Sequence, residues 1–375
     1  MKKAILNSSI NKSRDVASLK NRFSLLICLF VLTACNSGTT TKPATGNSNA
    51  LSGTPPIANS HLVFSPYMYS GDYANSSNQL TTGVTGVVEP VLTAMPKGLS
   101  TLTWAFATGT CAHETWSGVS AAAFASANVQ SFVGAGKKYI VSTGGAGNSF
   151  FCASNADFLT FINTYYSANM LGVDFDIENG QTQNDVNNLV AVAAAAQTTY
   201  PNLRFSFTIG FYGGQEAFAA RWDTLGNWIM AAINTYGLKN YMFNLMTMDY
   251  AATGTATSYV CTLQPGTSLC DMGQSAVVAA QNLHISLGVP YNHIELTPLI
   301  GGNDDHDEIF TLADASTISS FALANGIAGI HFWAFSRDND CPPTTNVSGT
   351  SDRCNNYGHA GTLGYTNAFL TNLGL

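Results

Sequence analysis

Short apolar runs recur along the chain, and each is followed by a longer stretch in which apolar residues return at helical spacing. Leu62–Tyr67, Leu102–Ala107, Tyr139–Thr143, Val173–Glu178, Arg204–Ile209, Tyr241–Met248, Ile294–Ile300 and Gly329–Phe335 read as strands. The stretches 85–96, 119–135, 154–169, 183–200, 221–236, 271–288, 311–325 and 360–373 read as helices. Residues 184–197 give the clearest helix, rich in strong helix formers and opening on Asn184. Strand and helix alternating in this way predict an α/β fold with a parallel sheet, a (β/α)8 TIM barrel. A doubly wound open sheet is the alternative, but no Gly-x-Gly-x-x-Gly turn follows the first strand.

The pattern does not extend to the first 59 residues. Lys2, Lys3, Lys12, Arg14, Lys20 and Arg22, with Asp15 the one acid among them, precede the apolar run Phe23–Val31 and then Leu32-Thr33-Ala34-Cys35. Residues 1–34 therefore read as an export signal, whose apolar run is too short to span a bilayer. Leu-Thr-Ala-Cys resembles the bacterial lipobox. That resemblance implies lipidation of Cys35 and, with Asn36 rather than an aspartate following, an outer-membrane or cell-surface location. Simple cleavage after Ala34, giving a secreted protein, is the alternative. Residues 35–59, rich in Ser, Thr, Gly, Asn and Pro, read as a flexible tether, and no second linker interrupts the single domain expected over 60–375.

Beyond residue 34 the chain keeps 9 of its 15 basic and 21 of its 22 acidic residues, a net charge of −12. No basic stripe remains to neutralise phosphates, so nucleic acid is not an expected partner, whereas a neutral glycan is compatible. Membrane contact is expected only through the lipid anchor, and the protein is expected to be a monomer. Of eight cysteines, Cys28 lies in the signal and Cys35 at its end. The remaining even number in an exported chain predicts disulfides. Local spacing favours Cys261–Cys270 and Cys341–Cys354, leaving Cys111 for Cys152. There is no Cys-x-x-Cys and no histidine cluster beside the cysteines, so neither a metal nor a cofactor is expected.

The chemistry concentrates in Gly172-Val-Asp-Phe-Asp-Ile-Glu-Asn179. On a strand Asp174, Asp176 and Glu178 share one face, while Phe175 and Ile177 take the other. Charged residues make up only 10% of the chain, so acids interleaved with apolar residues point to an inward ridge rather than a solvated edge. Carboxylates that close resist joint ionisation, and one should hold a proton near neutrality. A proton held on a buried acid beside an ionised one is what general-acid cleavage of a glycosidic bond needs. Glu178 also ends the fourth strand, and barrels place their chemistry at the C-terminal ends of strands.

Asp174-Phe-Asp-Ile-Glu178 resembles the Asp-x-Asp-x-Glu core of glycoside hydrolase family 18, the chitinases and related endo-β-N-acetylglucosaminidases. Ser142-Thr-Gly-Gly145 is similar to that family's Ser-x-Gly-Gly segment, and Met246-Thr-Met-Asp-Tyr250 to its strand-six segment. Trp333 stands where the family has its strand-eight tryptophan. Thr297-Pro-Leu-Ile-Gly-Gly-Asn-Asp304 resembles a stretch of the bacterial and archaeal chitinase branch. The likeness covers about residues 62–341. Leu171 replaces the outermost aspartate of the fuller motif, and Met248 stands where many members have a tyrosine, which puts the nearby Tyr250 forward as the hydroxyl donor.

The resemblance implies a substrate-assisted, retaining hydrolysis, an exception to the two-carboxylate scheme. Glu178 would be the acid and then the base, and Asp176 would orient the substrate's acetamide. Asp174 would share a proton with Asp176. Asp249 and Tyr250 would grip the acetamide, and Trp333 would floor the sugar. Asp249 as a strand-end cap and Trp333 as ordinary core are the bland alternatives. Met246, Met248, Tyr67 and Asn303 are further substrate-binding candidates, with Asp304 beside them; Tyr67, Phe106 and Tyr212 fit barrel core equally well. Ser142, Gly144 and Gly145 read as scaffold. His306 reads as part of a solvated loop, since its spacing fits neither an EF-hand nor a zinc pattern. The expected function is a chitinase acting on chitin or N-acetylglucosamine oligosaccharides. An endoglycosidase of N-glycan cores and a non-catalytic chitin-binding adhesin are the rivals.

Overall fold

The computed structural model describes residues 62–375 apart from 74, 179, 216–223 and 343–349. The expected export signal, Cys35 and the expected tether lie outside the described residues. Strands β1 (Val63–Phe64, resuming at Tyr67–Tyr69), β2 (Thr101–Thr110), β3 (Lys138–Gly144), β4 (Met170–Asp176), β5 (Arg204–Gly210), β6 (Tyr241–Met246), β7 (Ile294–Thr297) and β8 (Gly329–Ile330) pair in parallel in chain order. Val63–Phe64 pairs with β8 and Tyr67–Tyr69 with β2, so the ring of parallel pairings closes into a barrel.

Helices α1 (Val91–Ala94), α2 (Ala121–Gly134), α3 (Asn155–Tyr165), α4 (Gln183–Ala196), α5 (Thr224–Tyr236), α6 (Met272–Leu287), α7 (Leu312–Asn325) and α8 (Gly364–Leu373) connect the strands or, in the last case, follow β8. Among the described residues no helix is long and apolar enough to cross a membrane.

The helix expected over 85–96 shrinks to α1, because Gly83 and Gly86 precede the β-branched pair Val87–Val88 and prolines stand at 90 and 96. In its place Thr81–Thr82 and Glu89–Pro90 form a small antiparallel hairpin. Several strands also stop short of the expected bounds. β6 ends at Met246, β7 at Thr297 and β8 at Ile330, with the chain turning through Phe335–Arg337. β4 ends at Asp176; one further ladder bond, from the Ile177 amide to the Thr208 carbonyl at 3.1 Å, carries the chain to Glu178.

Apolar packing lies mainly between sheet and helices. Phe175 points outward there, its ring 5.4 Å from Phe207 and 6.0 Å from Phe158 of α3. The barrel interior is polar instead. Ser142, Asp174, Ser206, Thr208, Asn244 and Thr297 are all buried, and this inner polar core positions the site. Disulfides join Cys261 to Cys270 and Cys341 to Cys354, the pairs favoured by spacing, and Cys111 to Cys152, the pair left over.

The helix that follows the acidic strand has a firm start. Thr182 accepts from the Asp185 amide, and the Asp185 carboxylate accepts from the Thr182 amide at 2.8 Å, a reciprocal box closing the N-terminus of α4. Thr182→Ala is expected to lower unfolding stability by about 1 kcal/mol in a denaturant titration. A change below about 0.3 kcal/mol would show that the cap contributes nothing.

Candidate active site

The site is built on the inward face of β4. Asp174 sits opposite Ser142 of β3 and Ser206 of β5 in register. Its Oδ2 accepts from Tyr67 Oη at 2.9 Å and Ser142 Oγ at 2.6 Å; its Oδ1 accepts from Ser206 Oγ at 2.6 Å and Thr208 Oγ1 at 2.7 Å. With two hydroxyls donating to each oxygen, this carboxylate serves only as an acceptor. Asn244 extends the network, donating to Tyr67 Oη at 2.9 Å and Thr208 Oγ1 at 2.8 Å while accepting from Thr297 Oγ1 at 2.7 Å.

Asp176 lies one step towards the mouth and is also buried. Burial, then the charges of Glu178 and Asp174, then a hydrogen bond with Glu178, push its carboxyl well above the usual range. Glu178 is half-buried at the rim. Burial pushes it up to about 7, opposed by the Asp176 hydrogen bond, which favours its anion. The pair therefore titrates jointly, with the more tightly held proton on Asp176. This revises the proton sharing expected between Asp174 and Asp176: Asp174 is occupied by its four hydroxyls, and the partner of Asp176 is Glu178.

Two glycines let β3 come this close. Gly144 and Gly145 both adopt positive φ, 85° and 82°. A Cβ on Gly144 would strike the Asp176 carbonyl, and one on Gly145 would lie 2.6 Å from the Phe106 ring. The Gly145 amide donates to that same Asp176 carbonyl at 3.1 Å. Phe106 in turn stacks on Trp333, with centroids 5.5 Å apart and planes 10° apart. Tyr67, Ala105, Phe106 and Ala334 form a small apolar cluster, separate from the main core, against which Tyr69 and the partly exposed Trp333 pack. Tyr67 joins the two halves of the site, its ring 6.0 Å from Trp333 and its hydroxyl on Asp174. Its hydroxyl is thereby committed to the acidic ridge rather than presented to a substrate.

The strand-six residues fall in two groups. Met246 is buried at the strand end and Met248 half-buried beyond it. Asp249 is half-buried, with φ +47°, and burial and Asp304 push its carboxyl up to about 7. Its Oδ1 accepts from the Asp304 amide at 2.8 Å. Tyr250 is buried with its hydroxyl beside Thr247, and the Tyr250 and Ala251 amides donate to Glu308 at 3.0 Å. Asn303 is a brace: its amide nitrogen donates to the Leu299 and Gly301 carbonyls, and its oxygen accepts from the Asp249 amide at 3.2 Å. That leaves its side chain engaged with backbone and fixes Asp249 instead. His306 is exposed, its amide donating to Thr253 Oγ1 at 3.1 Å. Tyr212 packs 5.8 Å from Tyr259 at the end of β5.

Ser206, Thr208 and Asn244 belong to no motif in the sequence and Thr297 only opens a resembling stretch; the buried Arg204–Glu295 ion pair with His331 beside it is likewise visible only in the structure. A signal was present in β5, where Arg204, Ser206 and Thr208 alternate with Phe205, Phe207 and Ile209. That is the pattern of a strand with one polar and one apolar face. Inside a closed barrel the polar face is the inner one.

No family model matches the chain. Over 237 residues it is 26% identical to a probable bifunctional chitinase/lysozyme of Escherichia coli, an overlap of 57% of this chain and 24% of that protein. Over 239 residues it is 25% identical to endochitinase 11 of Metarhizium anisopliae, covering 54% of this chain and 40% of that one. The chain thus spans less than half the length of either relative. Active domain 2 of the chitinase from Pyrococcus furiosus superposes with a TM-score of 0.62 over 84% of this chain and 95% of that one, at 23% identity. That likeness shows the fold.

Proposed function

We propose that this barrel is a chitinase, hydrolysing β-1,4 bonds between N-acetylglucosamine units with retention of configuration by substrate assistance. The observation that carries the reading is the Asp176–Glu178 pair, an acid raised to about 7 and hydrogen-bonded to a second carboxyl that holds its proton more tightly. One step below it on the same strand face, Asp174 is tied through Tyr67 to the aromatic cluster of Trp333. The chitinase names of the two curated relatives support the same substrate class.

In this mechanism Glu178 gives its proton to the glycosidic oxygen as the C1–O bond breaks. The carbonyl oxygen of the sugar's own 2-acetamido group bonds to C1, forming an oxazolinium ion. Asp176 Oδ1, buried and without a hydrogen-bond partner among the described residues, is free to accept the acetamide N–H. The proton on Asp176 remains directed at Glu178 and stabilises the carboxylate left there. Glu178 then removes a proton from water as its oxygen attacks C1 and the acetamide re-forms. Trp333 offers its indole face to the apolar face of the sugar.

Substrate assistance makes the acetyl group obligatory. Incubation with fully acetylated and fully deacetylated chitin oligomers, followed by proton NMR, is expected to show cleavage of the acetylated chain alone, the β-anomer appearing first. Equal cleavage of both chains, or the α-anomer first, would refute the mechanism. Absence of any cleavage would refute the substrate.

A further inference from the structure

Beneath the acidic ridge lies a charge pair for which two glycines make room. Arg204 opens β5 opposite Gly172, and its guanidinium reaches across the barrel to Glu295 of β7. A Cβ on Gly172 would strike the Arg204 carbonyl first and then its side-chain stem, and one on Gly329 would lie 2.6 Å from Glu295 Oε1. Arg204, Ser206 and Thr208 share the inward face of β5, and the latter two donate to Asp174. Arg204 therefore sits one two-residue step below Asp174, on the order of 7 Å along the strand.

The groups facing Arg204 are Glu295 from β7, His331 just beyond β8, Asp174 from β4 and Tyr67 from β1. His331 Nδ1 lies 2.8 Å from the Ser65 carbonyl, which can only accept, so the ring hydrogen is on Nδ1. Its Nε2 lies 3.4 Å from Glu295 Oε2. Burial and the Arg204 charge push His331 down to about 4, leaving the ring neutral at pH 7. Burial lowers Arg204 only to about 10, so it stays a cation. The layer thus holds the Arg204 cation paired with Glu295, on the strand whose hydroxyls donate to Asp174. A buried ion pair contributes little to stability compared with apolar packing, so packing alone does not account for it.

We propose that Arg204, anchored by Glu295, is a positioning residue: its cation at the foot of the barrel is the counter-charge beneath the acidic ridge and sets the field in which the Asp176–Glu178 pair releases its proton. The inference rests on the acid role proposed for Glu178. Its test has a readout that needs no substrate. Carbon-13 NMR of carboxyl-labelled protein, with Glu178→Gln to assign the signal, follows the titration of Glu178. In Arg204→Met that titration is expected to move up by about one pH unit, and the pH profile of chitin-oligomer cleavage to move with it. Arg204→Lys keeps the cation and is expected to restore the wild-type midpoint. Glu295→Gln keeps the shape but leaves the cation unneutralised, and is expected to move the midpoint down.

Opposite shifts are the signature; a merely structural role would lower stability in both variants without moving the midpoints apart. An unmoved midpoint, or shifts of the same sign, overturns the proposal. Should Arg204→Met not fold, the direction of the Glu295→Gln shift decides. Opposite shifts in the two variants, together with a wild type that cleaves no chitin, would uphold the electrostatic role and refute the substrate.

Discussion

Glu178→Gln should lower the cleavage of chitin oligomers by about 10²- to 10⁴-fold, the usual loss when a positioned general acid is removed. Glutamine keeps the size and the polarity at the barrel mouth but cannot release a proton. Substrate affinity should fall far less than kcat, since the proton is transferred only on the way to the transition state. The wild-type pH profile offers a second check. Burial raises Glu178 to about 7, so the acid form is full below that value and is lost as pH rises through it. Activity should therefore fall on the alkaline side of about pH 7. A variant that retains more than about a third of wild-type kcat, or a wild-type rate that climbs steadily from pH 6 to 9, would remove Glu178 from the reaction.

The parts of the site that could be read from the sequence share a property: their pattern is local. Asp174, Asp176 and Glu178 announce themselves by spacing of two, and the strands by short apolar runs between helical stretches. Cys261–Cys270 and Cys341–Cys354 are close in sequence, which is why spacing alone paired them. What stayed hidden depends on closure of the ring. Asn244 of β6 meets Tyr67 and Thr208 only inside the barrel, where Thr297 of β7 donates to it in turn. Glu295 and His331 similarly look like isolated polar residues in apolar runs until the structure sets them beside Arg204. Asn303 invited a sugar-contact reading from its loop, yet its donors and acceptor all go to backbone. Residues 85–96 failed for the opposite reason: the glycines and prolines were legible, and they outweigh the apolar spacing that predicted a helix.

Removing Asp174 should unfold the molecule more readily than any change at the rim. Asp174→Ala is expected to cost on the order of 3–5 kcal/mol, read as a lower midpoint of denaturant unfolding with an unchanged slope. A buried carboxylate is costly in itself, and its removal from an active site can stabilise a protein. Here the balance goes the other way, because four hydroxyls from β1, β3 and β5 donate to Asp174. The alanine leaves those hydroxyls without their acceptor, each unsatisfied buried group costing about 1–3 kcal/mol before they rotate to partner one another. The Arg204 cation below loses a counter-charge at the same time. Asp174→Asn keeps one oxygen for two of the donors and should fall between alanine and wild type. If alanine instead matches or exceeds wild-type stability, the hydroxyl network is held by the strands alone, and Asp174 is a charge the fold tolerates for the reaction rather than one that ties the barrel together.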